Sequence, residues 1–298
     1  MYTILGATGK VGKKIVETLA AQGEKVRMVA RSEDRLRPLV GKYAEAFAGD
    51  ILDTEFLTQA FTGADAVFTL IPPNYTAGNF LSYADKVGES IAKALQNAKI
   101  TRVVNLSSVG GELTSGTGPI TGLHRLEERL NRIKGLNVLH LRAAYFMENL
   151  LGGIELIRTK GINGSAVRGD LRMPMIATRD IAAFAAERLL KRRDNAGTST
   201  ANLLGPRDLT LAEATTTVGI KIGLPNLQYV TFPYAEAEKG LIAAGLSPDM
   251  SRLYVEMSRA FNEGRISVKR ENGISTPTTL DEFCTTVFVP AFAQKKAA

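Results

Sequence analysis

Tyr2-Thr3-Ile4-Leu5-Gly6-Ala7-Thr8-Gly9-Lys10-Val11-Gly12 joins a short apolar run to an amphipathic stretch, Val11–Gln22, through glycines spaced as GxxGxxG. The apolar run reads as a strand and the amphipathic stretch as a helix, so the glycines fall in a strand-to-helix turn. Each has its own physical use there. Gly6 permits a tight exit from the strand, Gly9 lets backbone approach a pyrophosphate, and Gly12 lets the helix pack on the sheet. Thr8, Lys10 and Val11 fill out the turn and the helix start, where unpaired N–H groups and a partial positive charge face an anion. The expectation is a dinucleotide-binding turn, with a purely structural glycine turn as the alternative.

Outward from this turn, apolar runs alternate with amphipathic ones. Strands are expected at Tyr2–Leu5, Lys25–Ala30, Glu45–Ala48, Ala66–Ile71, Arg102–Leu106 and Val138–Leu141. Helices are expected at Val11–Gln22, Glu55–Phe61, Tyr83–Asn97 and Leu123–Ile133. Six strands with intervening helices predict an α/β fold, a Rossmann-type doubly wound parallel sheet. After Arg142 the rhythm breaks. Gly161–Gly169 and Asn195–Asp208 read as loops, and helical patterns recur near Leu211–Ile222, Ala235–Ala244 and Pro248–Glu263. We therefore expect a dinucleotide-binding domain over 1–150 and a smaller α/β substrate lobe over 151–298, with some chain returning to the first domain.

Composition limits the function classes. The chain has 298 residues, 45% of them hydrophobic, enough to fill a sizeable core. No run approaches the roughly 18 apolar residues of a membrane span and no signal-peptide pattern opens the chain, so a cytoplasmic protein without a membrane partner is expected. A single cysteine, Cys284, offers neither an internal disulfide nor metal-ligand spacing. The formal charge of +7 invites an anionic partner. Its basic residues are scattered, and the densest group (Arg188, Lys191, Arg192, Arg193) follows an apolar helix pattern as a solvated helix end would, which argues against nucleic acid. A phosphate-rich dinucleotide suits the charge equally well.

The strand ends specify the cofactor further. Lys25–Ala30 ends at Arg31, where an NAD-specific fold places an acid for the ribose hydroxyls. A guanidinium there offers charge-assisted hydrogen bonds to a 2′-phosphate and predicts NADP; a solvated arginine beside Glu33 and Asp34 is the alternative. After the third strand, Asp50 is placed to accept from the adenine amino group and Ile51 to pack on the ring, although Asp50 could instead cap the following helix. Ile71 and Pro72 leave the fourth strand as a rigid apolar turn suited to lie beside ribose and nicotinamide.

GATGKVG, Arg31, the GDILD segment from Gly49 to Asp53, and RAAYFMENLL from Arg142 together resemble the NmrA-like branch of atypical short-chain dehydrogenases. The resemblance continues through Met173–Ala182, Leu209–Leu224 and Thr276–Phe283. It implies an NAD(P)H-binding protein, either a reductase of quinones or dyes or a cofactor-binding redox sensor that regulates a partner. The wider family uses Ser, Tyr and a Lys four residues later. Ser107 and Ser108 follow the fifth strand suitably for the serine, with Ser107 expected to contact the cofactor, but the downstream segment reads Ile120-Thr121-Gly122-Leu123-His124, so if His124 takes the lysine position, the tyrosine position is Ile120.

His124 follows a flexible-looking loop, Val109 to Gly118. It could hydrogen-bond the nicotinamide ribose or donate a proton, with Glu128 one turn on to set its tautomer, or it could be an exposed first-turn residue. Tyr145 and Asn149, after the sixth strand, are candidates to stack on and hydrogen-bond an acceptor, whereas Met147 reads as core and His140 as sheet packing. Three functions remain open. One is NADPH-dependent hydride transfer to a quinone-like or other conjugated acceptor. Another is a non-catalytic NADP(H) sensor with a protein partner. The third, an epimerase, needs an acid and base that the sequence does not display.

Overall fold

In a computed structural model that describes residues 1–191 and 197–294, the first half of the chain is a regular βα alternation. Strands β1 (Tyr2–Leu5), β2 (Val26–Ala30), β3 (Ala44–Ala48), β4 (Ala66–Thr69), β5 (Arg102–Ser108) and β6 (Asn137–Ala143) stand close to their expected bounds. Between and after them lie helices α1 (Lys10–Ala21), α2 (Glu33–Leu36), α3 (Thr54–Phe61), α4 (Phe80–Asn97) and α5 (Ile120–Asn131). Alternate residues of each strand point to opposite faces. Ile4, Met28, Phe68 and Val104 meet α1 and a later helix on one face. Leu5, Val67, Val103 and Val138 meet α3, α4 and α5 on the other. Burial on both faces makes these strands apolar throughout, as parallel sheets require.

The second half departs from expectation in two places. It comprises β7 (Tyr145–Phe146), α6 (Ile154–Lys160), β8 (Ile162–Ser165), β9 (Met173–Ile176), α7 (Thr178–Leu190), β10 (Thr198–Leu204), β11 (Asp208–Leu209), α8 (Leu211–Lys221), β12 (Gln228–Thr231), α9 (Tyr234–Ala243), α10 (Pro248–Asn262) and β13 (Ile274–Ser275). The expected loop Gly161–Gly169 contains β8, which pairs in parallel with β12. The expected loop Asn195–Asp208 contains β10, which pairs in parallel with β6 from Thr198 to Leu203. The main sheet therefore has eight strands, in the order β13-β10-β6-β5-β4-β1-β2-β3, rather than six. Helix α7 covers the same face as α1, burying Ile181, Ala182, Ala185 and Leu189. Met147 is buried with Met175, Leu211 and Phe283 in a separate core of the second half.

Arg188 and Lys191 end α7, while Arg192, Arg193 and the start of the Asn195–Asp208 stretch lie outside the described residues. Among the described residues no helix is long and apolar enough to cross a membrane. Cys284 is buried, and burial pushes its thiol up to about 12, which leaves it protonated and inert.

Candidate functional site

All strands of the main sheet are parallel, so the loops after β1, β2, β3, β4, β5 and β6 gather at one edge. At its centre, Gly6 adopts φ +65°, and the Gly9 amide donates to its carbonyl at 2.8 Å. A Cβ on Gly12 would lie 2.3 Å from the Gly6 carbonyl oxygen, so α1 reaches this depth only because position 12 has no side chain. Gly9 is the N-cap of α1, in extended backbone at φ −85°, with no side-chain cap and no acid in the first turn. The helix N-terminus thus presents its free N–H groups with nothing of the chain's own to neutralise them. Thr8 is half-buried, Lys10 exposed and Val11 buried around it. These residues fit a pyrophosphate.

Arg31 is exposed at the end of β2. The neighbouring acids are occupied elsewhere: Glu33 and Asp34 form the first turn of α2, capped by Ser32, and Asp34 pairs with Arg37 at 3.2 Å. A second guanidinium, which the sequence did not single out, joins it. Arg35 donates from Nη2 to the Thr8 carbonyl at 3.1 Å, bridging α2 to the glycine turn. The only sequence sign of this was the spacing of Arg31 and Arg35 about one helical turn apart.

Asp50 and Ile51 follow β3. Asp50 Oδ1 accepts from the Leu52 amide at 3.0 Å, and the cap of α3 is Asp53, which accepts from the Glu55 and Phe56 amides at 2.9 and 3.1 Å. Asp50 is therefore not the helix cap. Ile51 and Ile71 are buried and Pro72 is half-buried. Tyr83, in the first turns of α4, lies close enough to Arg31 and Asp50 to feel both. Burial raises its phenol, Arg31 lowers it and Asp50 raises it. Arg31, Asp50 and Tyr83 thus share one end of the edge.

Beside β5 the chemistry differs from expectation. Ser107 is buried, and its hydroxyl donates to Glu127 Oε1 at 2.5 Å. Glu127, from α5, also receives Arg142 through Nε at 3.1 Å and Nη2 at 2.6 Å, and Arg142 reaches Glu112 at 3.0 Å. Ser107 is therefore held by its own chain. Helix α5 begins at Ile120, so His124 is half-buried one turn inside it rather than exposed in its first turn. His124 Nδ1 donates to the Gly111 carbonyl at 2.9 Å. This bond, and not Glu128, sets the tautomer and leaves Nε2 as the free nitrogen of the neutral ring. Glu128 pairs with Arg132 instead.

The Val109–Gly118 loop is pinned: Gly118 donates to Glu256 Oε1 at 3.3 Å and Arg265 to the Ser115 carbonyl at 3.1 Å. Ile120 is buried, so the family's tyrosine position carries no donor. His140 is core, its rings bridged between Asn105 at 3.1 Å and Asn131 at 2.9 Å, and burial lowers its pKa.

Tyr145 is half-buried on β7, and burial pushes its phenol well above the usual range. Asn149 is exposed on the 3₁₀ segment that follows, two residues from the buried Met147. Phe232 packs on Gly164, and the Tyr234 hydroxyl accepts from Asn262 at 3.0 Å, so both serve the second half's own packing. Tyr229 donates to the Val167 carbonyl at 2.8 Å and stands beside Tyr145.

Comparison with known proteins agrees with this edge. Residues 6–192 match the family model described as NAD(P)H-binding. The NAD(P)H azoreductase of Xenophilus azovorans is 24% identical over 260 residues, covering 85% of this chain and 86% of that protein. The uncharacterized oxidoreductase YesF of Bacillus subtilis is 28% identical over 293 residues, covering 94% and 92%. The NADPH-dependent quinone oxidoreductase QOR2 of Escherichia coli, solved with NADPH, superposes with a TM-score of 0.81 at 20% identity, covering 97% of this chain and all of that one. Because the family match starts at Gly6 and takes in every strand end described above, the chain belongs to the NAD(P)H-binding family.

Proposed function

We propose that the protein is an NADPH-dependent oxidoreductase that passes hydride to a quinone-like or otherwise conjugated small acceptor. Reductase and oxidoreductase names among the relatives support the reaction class. The observation that carries the acceptor class is the state of the family's acid positions: Ile120 is apolar and buried, and Ser107 is tied to Glu127. A ketone needs a positioned acid as its alkoxide forms. A conjugated acceptor spreads the incoming charge, so protonation by water can follow.

When bound, the reduced nicotinamide supplies the hydride. The chain's share is to hold the pyrophosphate at Gly9 and α1, hold the 2′-phosphate at Arg31 with Arg35 beside it, and offer the His124 Nε2 side toward the ribose. Tyr145 and Asn149 are assigned to the acceptor. Consumption of NADPH, followed by its fluorescence against a panel of quinones, tests the proposal. Binding without consumption would select the sensor reading, which draws on the same missing acid.

Two variants refine the assignment. Arg31→Ala should weaken NADPH by roughly tenfold to a hundredfold, the loss of charge-assisted bonds worth about 1.5–3 kcal/mol, and leave NADH nearly unchanged. Equal weakening of both in fluorescence titrations would remove the 2′-phosphate from Arg31. His124→Ala should lower kcat less than about tenfold. A positioned acid contributes roughly 10²–10⁴, so a fall of that size in steady-state assays would make His124 the general acid and end the direct-transfer version.

A further inference from the structure

Tyr75 and Tyr254 come from opposite halves of the chain, yet their ring centroids are 6.5 Å apart at an interplanar angle of 33°. Tyr75 lies in the loop leaving β4, just past Pro72 and Pro73, and Tyr254 lies on α10. Tyr254 is also near Tyr145, which follows β6. Tyr75 thus follows β4 and Tyr145 follows β6, the two neighbours in the sheet of β5, the strand that carries Ser107 and leads to the Gly111–His124 bond.

Other bonds already explain why α10 sits there. Ser247 donates from its amide to the Tyr75 carbonyl at 2.8 Å and from Oγ to the Ala77 carbonyl at 2.6 Å. Asp249 accepts from the Phe80 amide at 2.8 Å, capping α4 from a distant part of the sequence. A Cβ on Gly118 would come within 2.0 Å of the Leu253 carbonyl oxygen, so the loop after β5 also closes directly on α10. Docking is accomplished by backbone, Ser247 and Asp249, and it leaves Tyr75 48% exposed. A large aromatic half in water beside a more buried partner is an open stacking surface.

We infer that Tyr75 and Tyr254 bind the acceptor, a planar conjugated carbonyl compound that stacks on Tyr75 and takes a hydrogen bond from the Tyr254 hydroxyl. The assignment rests on the reductase reading above. Burial raises the Tyr254 phenol, as do the neighbouring Tyr75 and Tyr145 phenols and a hydrogen bond with the Tyr75 hydroxyl, so Tyr254 is a donor rather than a proton source, and an arriving acceptor oxygen takes the bond that Tyr75 holds. As hydride adds to the acceptor, the electron pair moves onto the carbonyl oxygen, where a donor placed in advance stabilises the charge. Water supplies the proton. The acceptor gains two electrons, the cofactor loses them, and Tyr254 keeps its hydrogen.

The test uses the full chain with Tyr75→Leu and Tyr254→Phe, with 1,4-naphthoquinone as probe. Calorimetric binding of the quinone to the NADP⁺-loaded protein is measured alongside KM and kcat. Tyr254→Phe and Tyr75→Leu should each weaken quinone binding and raise KM by about fivefold to tenfold, with kcat changed less than about threefold and NADPH affinity unchanged. Unchanged quinone binding in both Tyr75→Leu and Tyr254→Phe, or no binding by the wild type, overturns the inference. Quinone binding that these variants weaken, without NADPH consumption by any of them, would uphold the tyrosine site and refute the reductase.

Discussion

Gly9→Val should leave a folded protein that binds neither NADPH nor NADH, a loss greater than about 100-fold, or roughly 2.7 kcal/mol. Backbone at φ −85° accepts any residue, and the only atom near an added Cβ is the Gly6 carbonyl oxygen at 3.1 Å, so the fold has little reason to fail. The side chain would instead fill the space over the N–H groups of α1 that the proposal gives to the pyrophosphate. Gly12→Ala is the contrasting control, because its Cβ meets backbone at 2.3 Å and should separate α1 from the sheet. Circular dichroism checks the fold and cofactor fluorescence the binding. A folded Gly9→Val that binds NADPH normally would reduce the turn to a structural device.

Glu127→Ala should destabilise the fold by about 3 kcal/mol. The Glu127 side chain is 4% exposed and that of Arg142 18%, so removal of the carboxylate strands a guanidinium in poorly solvated surroundings. Glu112, at 3.0 Å but itself 46% exposed, offsets part of the loss and keeps the expected figure at the low end for a broken buried pair. Ser107 loses its acceptor in the same stroke. Thermal unfolding should shift down by roughly 6–12 °C for a chain of this size. A shift within about 1 °C would show that Arg142 finds water or another partner, and that the pair contributes little.

The legibility of these features follows from how local their causes are. β1 to β6 were readable because each is a short apolar run between turn residues, and Gly6, Gly9 and Gly12 because the turn's demands fall on adjacent positions. β10 was not: Thr198-Ser199-Thr200 is exposed, Gly205 and Pro206 follow the strand, and its partner β6 is remote in sequence. β8, Ile162-Asn163-Gly164-Ser165, is made of residues that favour turns and is a strand through pairing with β12 alone. Among site residues, Arg31 could be placed from the strand end, whereas the bond from Arg35 to Thr8 depends on how α2 lies. The Ser107–Glu127–Arg142 cluster joins β5, α5 and β6, and no spacing rule brings them together. The same holds for Tyr75 and Tyr254.

The position of β10 has a consequence for synthesis. β6 ends at Ala143, and its outer neighbour in the sheet begins only at Thr198. At about 5–20 residues per second, several seconds pass in which a growing chain can complete β3-β2-β1-β4-β5-β6 and the glycine turn while the far side of β6 displays unpaired N–H and C=O groups. Cofactor captured in that interval would hold the early strands together before the last one arrives. A polypeptide stopped short of β10 would carry the nucleotide cradle intact and a sticky border along β6, which makes aggregation, rather than loss of the cradle, the expected fate of premature termination.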